Sequence, residues 1–485
     1  MGHNAPMPDA DPSTTSVRPP ADGGGLWSPQ RRELTLGLVL TITLVAAEAL
    51  AVSAAMPIVA RDLGGLELYG LVFTAFMVGS LIGIVVAGDL IDRRGVVFPF
   101  LVGLGLFAVG LLVAGVSPSM EILIASRFVQ GLGGGAIPPV AYVAIGRSLP
   151  ERLRPQMFAM LSTAWILPGV FGPGVGGAVA ELLHWRLVFL GLLPLLVVSG
   201  WMALHALRGV AAAEAPGGGR SSGEKLRDAL VVGFGVALLT GGLSADSPTV
   251  LAALVIPGLA LTVYGFRRLV PPGTLQLARG YPSAILLRGF LTFAFFLYDP
   301  YVSLLLVEVR GWSAAAAGIA LTAATVSWTL GSWTQARLSR RISHERFAWL
   351  GFGVVAAGTA GVLPVLLPDV PAWLVVPAFA IGGYGMGLGY AQFALIVLRD
   401  VQGPEQGAAT SGLTLSDALG TALGAGIGAA LIGASVRGAA GPGPGIGAAI
   451  VIATGVALLG LLLAPRLNRE PAETPPSSGA AEAVR

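Results

Sequence analysis

The chain has 485 residues, 54% of them hydrophobic and only 11% charged, where a soluble globular protein carries about 25% charged residues. With a mean hydropathy of +0.78, that composition belongs to an all-α polytopic membrane protein and excludes a soluble fold. Cysteine is absent, which excludes disulfides, thiolate metal sites and thiol nucleophiles. The net charge of +3 does not indicate a nucleic-acid partner, because the basic residues are distributed by topology.

Residues 1–30 are rich in Pro, Ser, Asp and Gly and lack the apolar core of a signal peptide. The stretch 1–34 is expected to be a disordered cytosolic tail, and so is 467–485. A membrane-spanning helix needs about 20 apolar residues. Fourteen segments meet that need: 35–57, 69–88, 96–116, 120–146, 156–180, 187–206, 229–245, 249–266, 283–307, 314–335, 347–367, 372–398, 407–433 and 444–464. The seventh and eighth are the shortest, so twelve spans is the alternative.

The basic residues give an independent test, because cytoplasmic loops are enriched in Lys and Arg. Of 29 such residues, only Arg61, Arg186, Arg310 and Arg437 fall on one side, and Arg127 and Arg288 lie inside spans. The other 23 share the side of both termini. Both ends are therefore expected in the cytoplasm, with the chain multi-pass in the cell (inner or plasma) membrane. This makes 35–206 a six-helix bundle, 207–281 a central loop with two linking helices, and 282–466 a second six-helix bundle. Leu90-Ile91-Asp92-Arg93-Arg94-Gly95 and Leu338-Ser339-Arg340-Arg341-Ile342-Ser343 occupy the same turn in each half. Such repetition is the architecture of many secondary transporters, with a cavity between the halves.

Trp165–Arg186 concentrates Gly169, Gly172, Gly174, Gly176 and Gly177 with Pro168 and Pro173. In water these residues would weaken a helix. In a bilayer they let two backbones approach and permit a bend. Gly172-Pro173-x-x-Gly176-Gly177 is one of four motifs that stand in order. The others are Glu48–Pro57 (EALAVSAAMP), Gly88-Asp89-Leu90-Ile91-Asp92-Arg93-Arg94-Gly95 and Arg127-Phe128-Val129-Gln130-Gly131. Together they resemble the major facilitator superfamily, and within it the fourteen-span drug:proton antiporters. Gly311-Trp312-Ser313 and Glu405-Gln406-Gly407 resemble corresponding stretches of the second half. The chain departs from the family pattern at three places. Pro168 stands where glycine is usual, Glu48 where aspartate is usual, and Val96-Val97 where two basic residues are usual. The resemblance implies a 6+2+6 major facilitator fold, with two pseudo-symmetric bundles around a central cavity. It also implies that Arg127 takes part in proton transfer and that Gly88, Asp92, Arg93, Gly95, Gly172, Pro173, Gly176 and Gly177 govern conformational change.

Five charges lie inside spans: Glu48, Arg127, Arg288, Asp299 and Asp417. Each is costly there and must face the protein interior or a water-filled cavity. At ~1.5 Å of rise per residue, Glu48 and Arg127 both come out ~20 Å from the cytoplasmic surface, so they are level and can meet. Desolvation favours a neutral carboxyl and a neighbouring guanidinium favours a charged one, so such a pair can load and release a proton. Asp417, at ~15 Å, and Asp299, at ~24 Å, are further proton-coupling candidates. Arg288 is expected to snorkel to the interface. Trp165, Tyr298, Tyr301, Trp328, Tyr384, Tyr390 and Gln392 are candidates for the cavity wall, since aromatic walls suit lipophilic ligands and, beside a carboxylate, cations.

The four histidines are scattered, there is no nucleotide-binding loop of the GxxxxGK[ST] type, and the single lysine is Lys225. No enzyme activity, metal or cofactor is expected. The energy source would be a proton gradient and the partners a small molecule, protons and the bilayer, with the chain monomeric. The sequence thus reads as a proton-coupled exporter of small lipophilic or cationic compounds. Export of an endogenous metabolite, lipid or siderophore, and a transport-inactive receptor or scaffold, are the alternatives.

Overall fold

The computed structural model describes residues 24–29, 31–64, 68–210, 221–243, 245 and 247–468. The expected tails at 1–23 and 469–485, and residues 211–220 of the central loop, lie outside the described residues. The secondary structure of the described residues is all helical: α1 Arg32–Leu63, α2 Tyr69–Arg94, α3 Val97–Val116, α4 Met120–Ser148, α5 Arg154–Thr163, α6 Ile166–Val179, α7 Arg186–Leu190, α8 Leu192–Leu207 and α9 Ser222–Leu243. It continues with α10 Pro248–Leu269, α11 Tyr281–Phe296, the short α12 Val302–Leu304, α13 Ala314–Leu338, α14 His344–Val362, α15 Val375–Asp400, α16 Gln406–Arg437 and α17 Pro442–Leu463. Local sequence sets several ends. Gly95, at φ 72°, stops α2, and Ser313 and Ser343 accept the N–H of Ala316 and Arg346 to cap α13 and α14, as small hydroxyl residues do at helix starts.

Among the described residues, twelve helices are long and apolar enough to cross a membrane, including α9 and α10. The expected span 156–180 is not a single helix. It breaks after Thr163 and again bends by 44° between Gly172 and Val175, then ends in a π-helical turn at Ala180–His184. Counting it as one span gives thirteen. The cause is the Gly/Pro string itself, since Pro173 removes an intrahelical donor in the middle of the bend. The expected tenth segment is α13, 25 residues long and studded with Thr and Ser, and it is not among the twelve.

Glycine seams hold each half together. A Cβ on Gly131 would lie 2.1 Å from the carbonyl oxygen of Phe76, and one on Gly79 2.2 Å from that of Phe128, so α2 and α4 touch backbone to backbone. The second half repeats this between its own second and fourth helices, where a Cβ on Gly387 would meet the carbonyl of Trp328 at 2.0 Å. Close small-residue packing of this kind replaces the hydrophobic drive that lipid removes.

The contacts between halves cluster toward the face that carries the chain ends. The Gly407 and Ala408 N–H groups donate to the Asp92 carboxylate at 2.7 and 2.9 Å. Ser411 donates to the Ile84 carbonyl at 2.6 Å. On the other seam, Trp333 Nε1 donates to Thr163 at 3.0 Å, and Ser332 bonds Ser162 at 3.0 Å. The hairpin α9–α10 packs along the first of these seams, with α9 against both α2 and α16.

Candidate functional site

Two charge clusters within the spans and one contact between the halves, here called the gate, organise the site. In the first half, Glu48 of α1 and Arg127 of α4 form an ion pair, Arg127 Nη1 donating to Glu48 Oε1. The same Nη1 donates to Gln130 Oε1 at 2.5 Å, and the guanidinium lies 4.4 Å over the Phe76 ring. All three polar side chains are at most 3% exposed. Among the described residues, Glu48 Oε2, Arg127 Nε and Gln130 Nε2 have no hydrogen-bond partner. A buried network left partly unsatisfied carries a high free-energy cost. Gln130 was legible only as a letter of a motif, although its i, i+3 spacing from Arg127 puts the two on one helix face.

The second cluster corrects the expectation for Arg288. This residue does not snorkel. It is 1% exposed and grips Asp417 with Nε and Nη2, both at 3.2 Å. Its Nη1 donates to the Tyr390 carbonyl at 2.5 Å and its Nη2 to the Tyr142 hydroxyl at 3.4 Å. Tyr390 donates its own hydroxyl to Asp417 at 2.8 Å. Along their helices Arg288 and Asp417 differ in depth by only ~6 Å, which a long arginine side chain spans. It runs inward to a half-buried carboxylate in place of the interface.

The other expected residues separate. Tyr298 is buried, packing in a cluster with Phe295 and Phe379. Gln392 is fully buried. It donates to Gln335 at 2.9 Å and meets His344 Nδ1 at 2.9 Å. Tyr301 uses its hydroxyl on the Ala425 carbonyl. Trp328 and Tyr390 remain half-buried and touch edge to face at 5.3 Å. Tyr384 is half-buried and Trp165 exposed. Asp299 sits in a helical break at Asp299–Tyr301, adjoining Pro300. A groove of about 660 Å³ follows α13 past Ile319, Thr322, Val326 and Leu330 and is lined by none of the seven expected residues.

At the gate, Gly88 lets Ser411 close in, since a Cβ there would meet Ser411 Cβ at 2.5 Å. Arg93 pairs with Asp89 at 3.0 Å. Lys225 of the linking helix reaches the same carboxylate at 2.6 Å, and Ser222 also donates to it. Gly172 and Gly176 press on α1 at Leu50 and Ala51, two and three residues beyond Glu48, whereas a Cβ at Gly177 would meet open space. The bent helix therefore bears on the helix that carries the buried glutamate. Among the described residues no group of His, Cys, Asp or Glu is placed to hold a metal.

Apolar helices in two bundles, closed at one face and carrying compensated charges at depth, define an integral membrane transporter fold. Residues 37–425 match the family model of the Major Facilitator Superfamily, and the chain belongs to that family. It is 28% identical over 376 residues to a probable multidrug-efflux transporter of Mycobacterium tuberculosis, covering 73% of this chain and 78% of that protein. It is 26% identical over 389 residues to the multidrug transporter protein MdtP of Bacillus subtilis, covering 79% and 72%. Among solved structures it shares the fold of the human organic anion transporter MFSD10, with a TM-score of 0.66 at 15% identity, covering 90% of this chain and 99% of that one. The proton:xylose symporter XylE gives a TM-score of 0.64 at 13% identity, covering 89% and 94%.

Proposed function

We propose that this transporter is a proton-coupled exporter of small lipophilic compounds, working by alternating access between two six-helix bundles. The observation that carries the reading is the Glu48–Arg127–Gln130 cluster: a carboxylate deep in the membrane, held at one oxygen and unpartnered at the other. A purely structural pair would be an expensive way to join two helices. Efflux relatives at 26–28% identity support the direction of transport. Glu48 is the proton carrier in this reading. Asp417, occupied by Arg288, is less free to serve than Asp299. The test is substrate-induced proton release from purified protein, scanned over a compound panel, followed by uptake into proteoliposomes under an imposed pH difference. Compounds that release protons should also accumulate. A panel of structurally unrelated lipophiles that releases none would sink the reading.

The same reading has fourteen spans. The bent α5–α6 pair is one and α13 another, with α9 and α10 linking the bundles, both termini in the cytoplasm and the chain monomeric in the cell membrane. Cysteine introduced at Ser247 or Asp369, both exposed, should react with an impermeant thiol reagent from outside, and one at Ser221 only from inside. Reaction at Asp369 without reaction at Ser247 would remove the two linking spans. Because Ser117 is buried, the outer loop near it is a poor reporter.

A further inference from the structure

The second charge cluster has the parts of a site for an organic cation. Asp417 is 18% exposed at its side chain, Tyr390 hydrogen-bonds it, and half-buried Trp328 and Phe296 continue the aromatic wall. A carboxylate beside aromatic faces is the chemistry that recognises ammonium and phosphonium groups. Here, however, that chemistry is already satisfied from within the chain. The Arg288 guanidinium takes both oxygens of Asp417 and also lies over the Tyr390 ring, 3.1 Å from its centroid. It is further held by the Tyr390 carbonyl and the Tyr142 hydroxyl. Arginine does not lose its charge in a protein, so the occupant cannot be removed by deprotonation.

We propose that Arg288 is a specificity-determining residue: it acts as a built-in cation that fills the Asp417–Tyr390 site, so that this half of the transporter accepts neutral aromatic compounds and turns away organic ions of either sign. A cation arriving at Asp417 must displace a guanidinium held by four groups. An anion approaching Arg288 must displace a carboxylate that receives both Arg288 and Tyr390. A neutral aromatic compound displaces neither and stacks on the exposed parts of Trp328 and Tyr390. The inference rests on the export reading only for its physiological meaning, because the site can be read by binding alone.

The test uses three aryl probes of similar bulk and different charge on the full-length protein in detergent: triphenylphosphine oxide, tetraphenylphosphonium and tetraphenylborate. Equilibrium binding needs no transport, so loss of proton-driven export would leave this measurement intact. The wild type should bind the neutral probe at least tenfold more tightly than either ion. Arg288→Met leaves Asp417 uncompensated and should gain at least tenfold for the phosphonium. Asp417→Asn leaves Arg288 uncompensated and should gain at least tenfold for the borate. The double variant should lose both gains, which separates this site from any binding at Asp299. If Arg288→Met does not yield monodisperse protein, Asp417→Asn carries the same test with the opposite ion. Equal affinity of the wild type for all three probes, or monodisperse single variants with unchanged preference, would overturn the proposal.

Discussion

Replacing Glu48 with glutamine is expected to abolish accumulation against a gradient while leaving ligand binding measurable and indifferent to pH. Glutamine keeps the size of the side chain and an oxygen that can accept from Arg127 Nη1, so the contact between α1 and α4 survives. What it loses is the ability to gain and release a proton at the oxygen that has no partner among the described residues. The size of the effect follows from the driving force. One proton moving down ~100 mV supplies about 2.3 kcal/mol, and each tenfold concentration ratio costs about 1.4 kcal/mol. A neutral substrate exchanged for one proton can therefore be concentrated about fifty-fold, and in Glu48→Gln the ratio should fall to unity. Passive substrate exchange should persist, because glutamine resembles the protonated side chain and leaves the α1–α4 contact in place. Proteoliposomes in which the pH difference and the electrical potential are imposed separately make the measurement. Continued concentration of substrate by Glu48→Gln under a pH difference would show that the essential proton passes elsewhere, with Asp299 the next residue to replace.

How much of this was legible in the sequence depended on whether a one-dimensional measure captured the contact. Depth along a helix is such a measure, and it placed Glu48 and Arg127 level, where the structure has them paired. The bend within Gly172–Gly177 was likewise written in local chemistry, because glycine and proline act on their own helix. Arg288 shows where depth fails. Its Cα is near the interface, but whether a long side chain runs outward to water or inward to a carboxylate is decided by residue 417, on another helix. Tyr298 and Gln392, both buried, show a related ambiguity. A polar or aromatic residue in a span faces either a cavity or a buried partner, and the periodicity is the same in both cases. Lys225 and Asp89, 136 residues apart, lie at the ends of separate helices with nothing in either stretch to indicate the pairing. Yet the pair bears on a departure noted in the sequence, since the motif loop ends in Val96-Val97 and the linking helix supplies a cation to that same turn.

The gate yields the second large effect: Asp92→Asn should slow transport at least tenfold in protein that inserts and folds normally. Asp92 accepts the backbone N–H groups of Gly407 and Ala408, one on each carboxylate oxygen, at the first turn of α16. Helix N-termini carry unsatisfied donors and a partial positive charge, and a carboxylate there answers both. Asparagine has one acceptor oxygen and an NH2 group that would point at the second N–H. The substitution loses one hydrogen bond, weakens the other and removes the charge. Bonds to charged groups contribute about 1.5–3 kcal/mol each, so a net loss of about 2 kcal/mol is a fair order of magnitude, and it shifts a two-state equilibrium about thirty-fold. The state that loses population is the one in which the bundles meet at the face of the chain ends. This gives a readout independent of transport. Ser332 is buried and bonds Ser162 across the same closed side, so a cysteine at 332 should be nearly inert in the parent and become reactive when Asp92→Asn is added. Asp92→Glu retains the charge and should fall between the two. Normal transport, with a cysteine at 332 that stays protected, would mean that the closed face is held by the Trp333–Thr163 and Ser411–Ile84 contacts without help from Asp92.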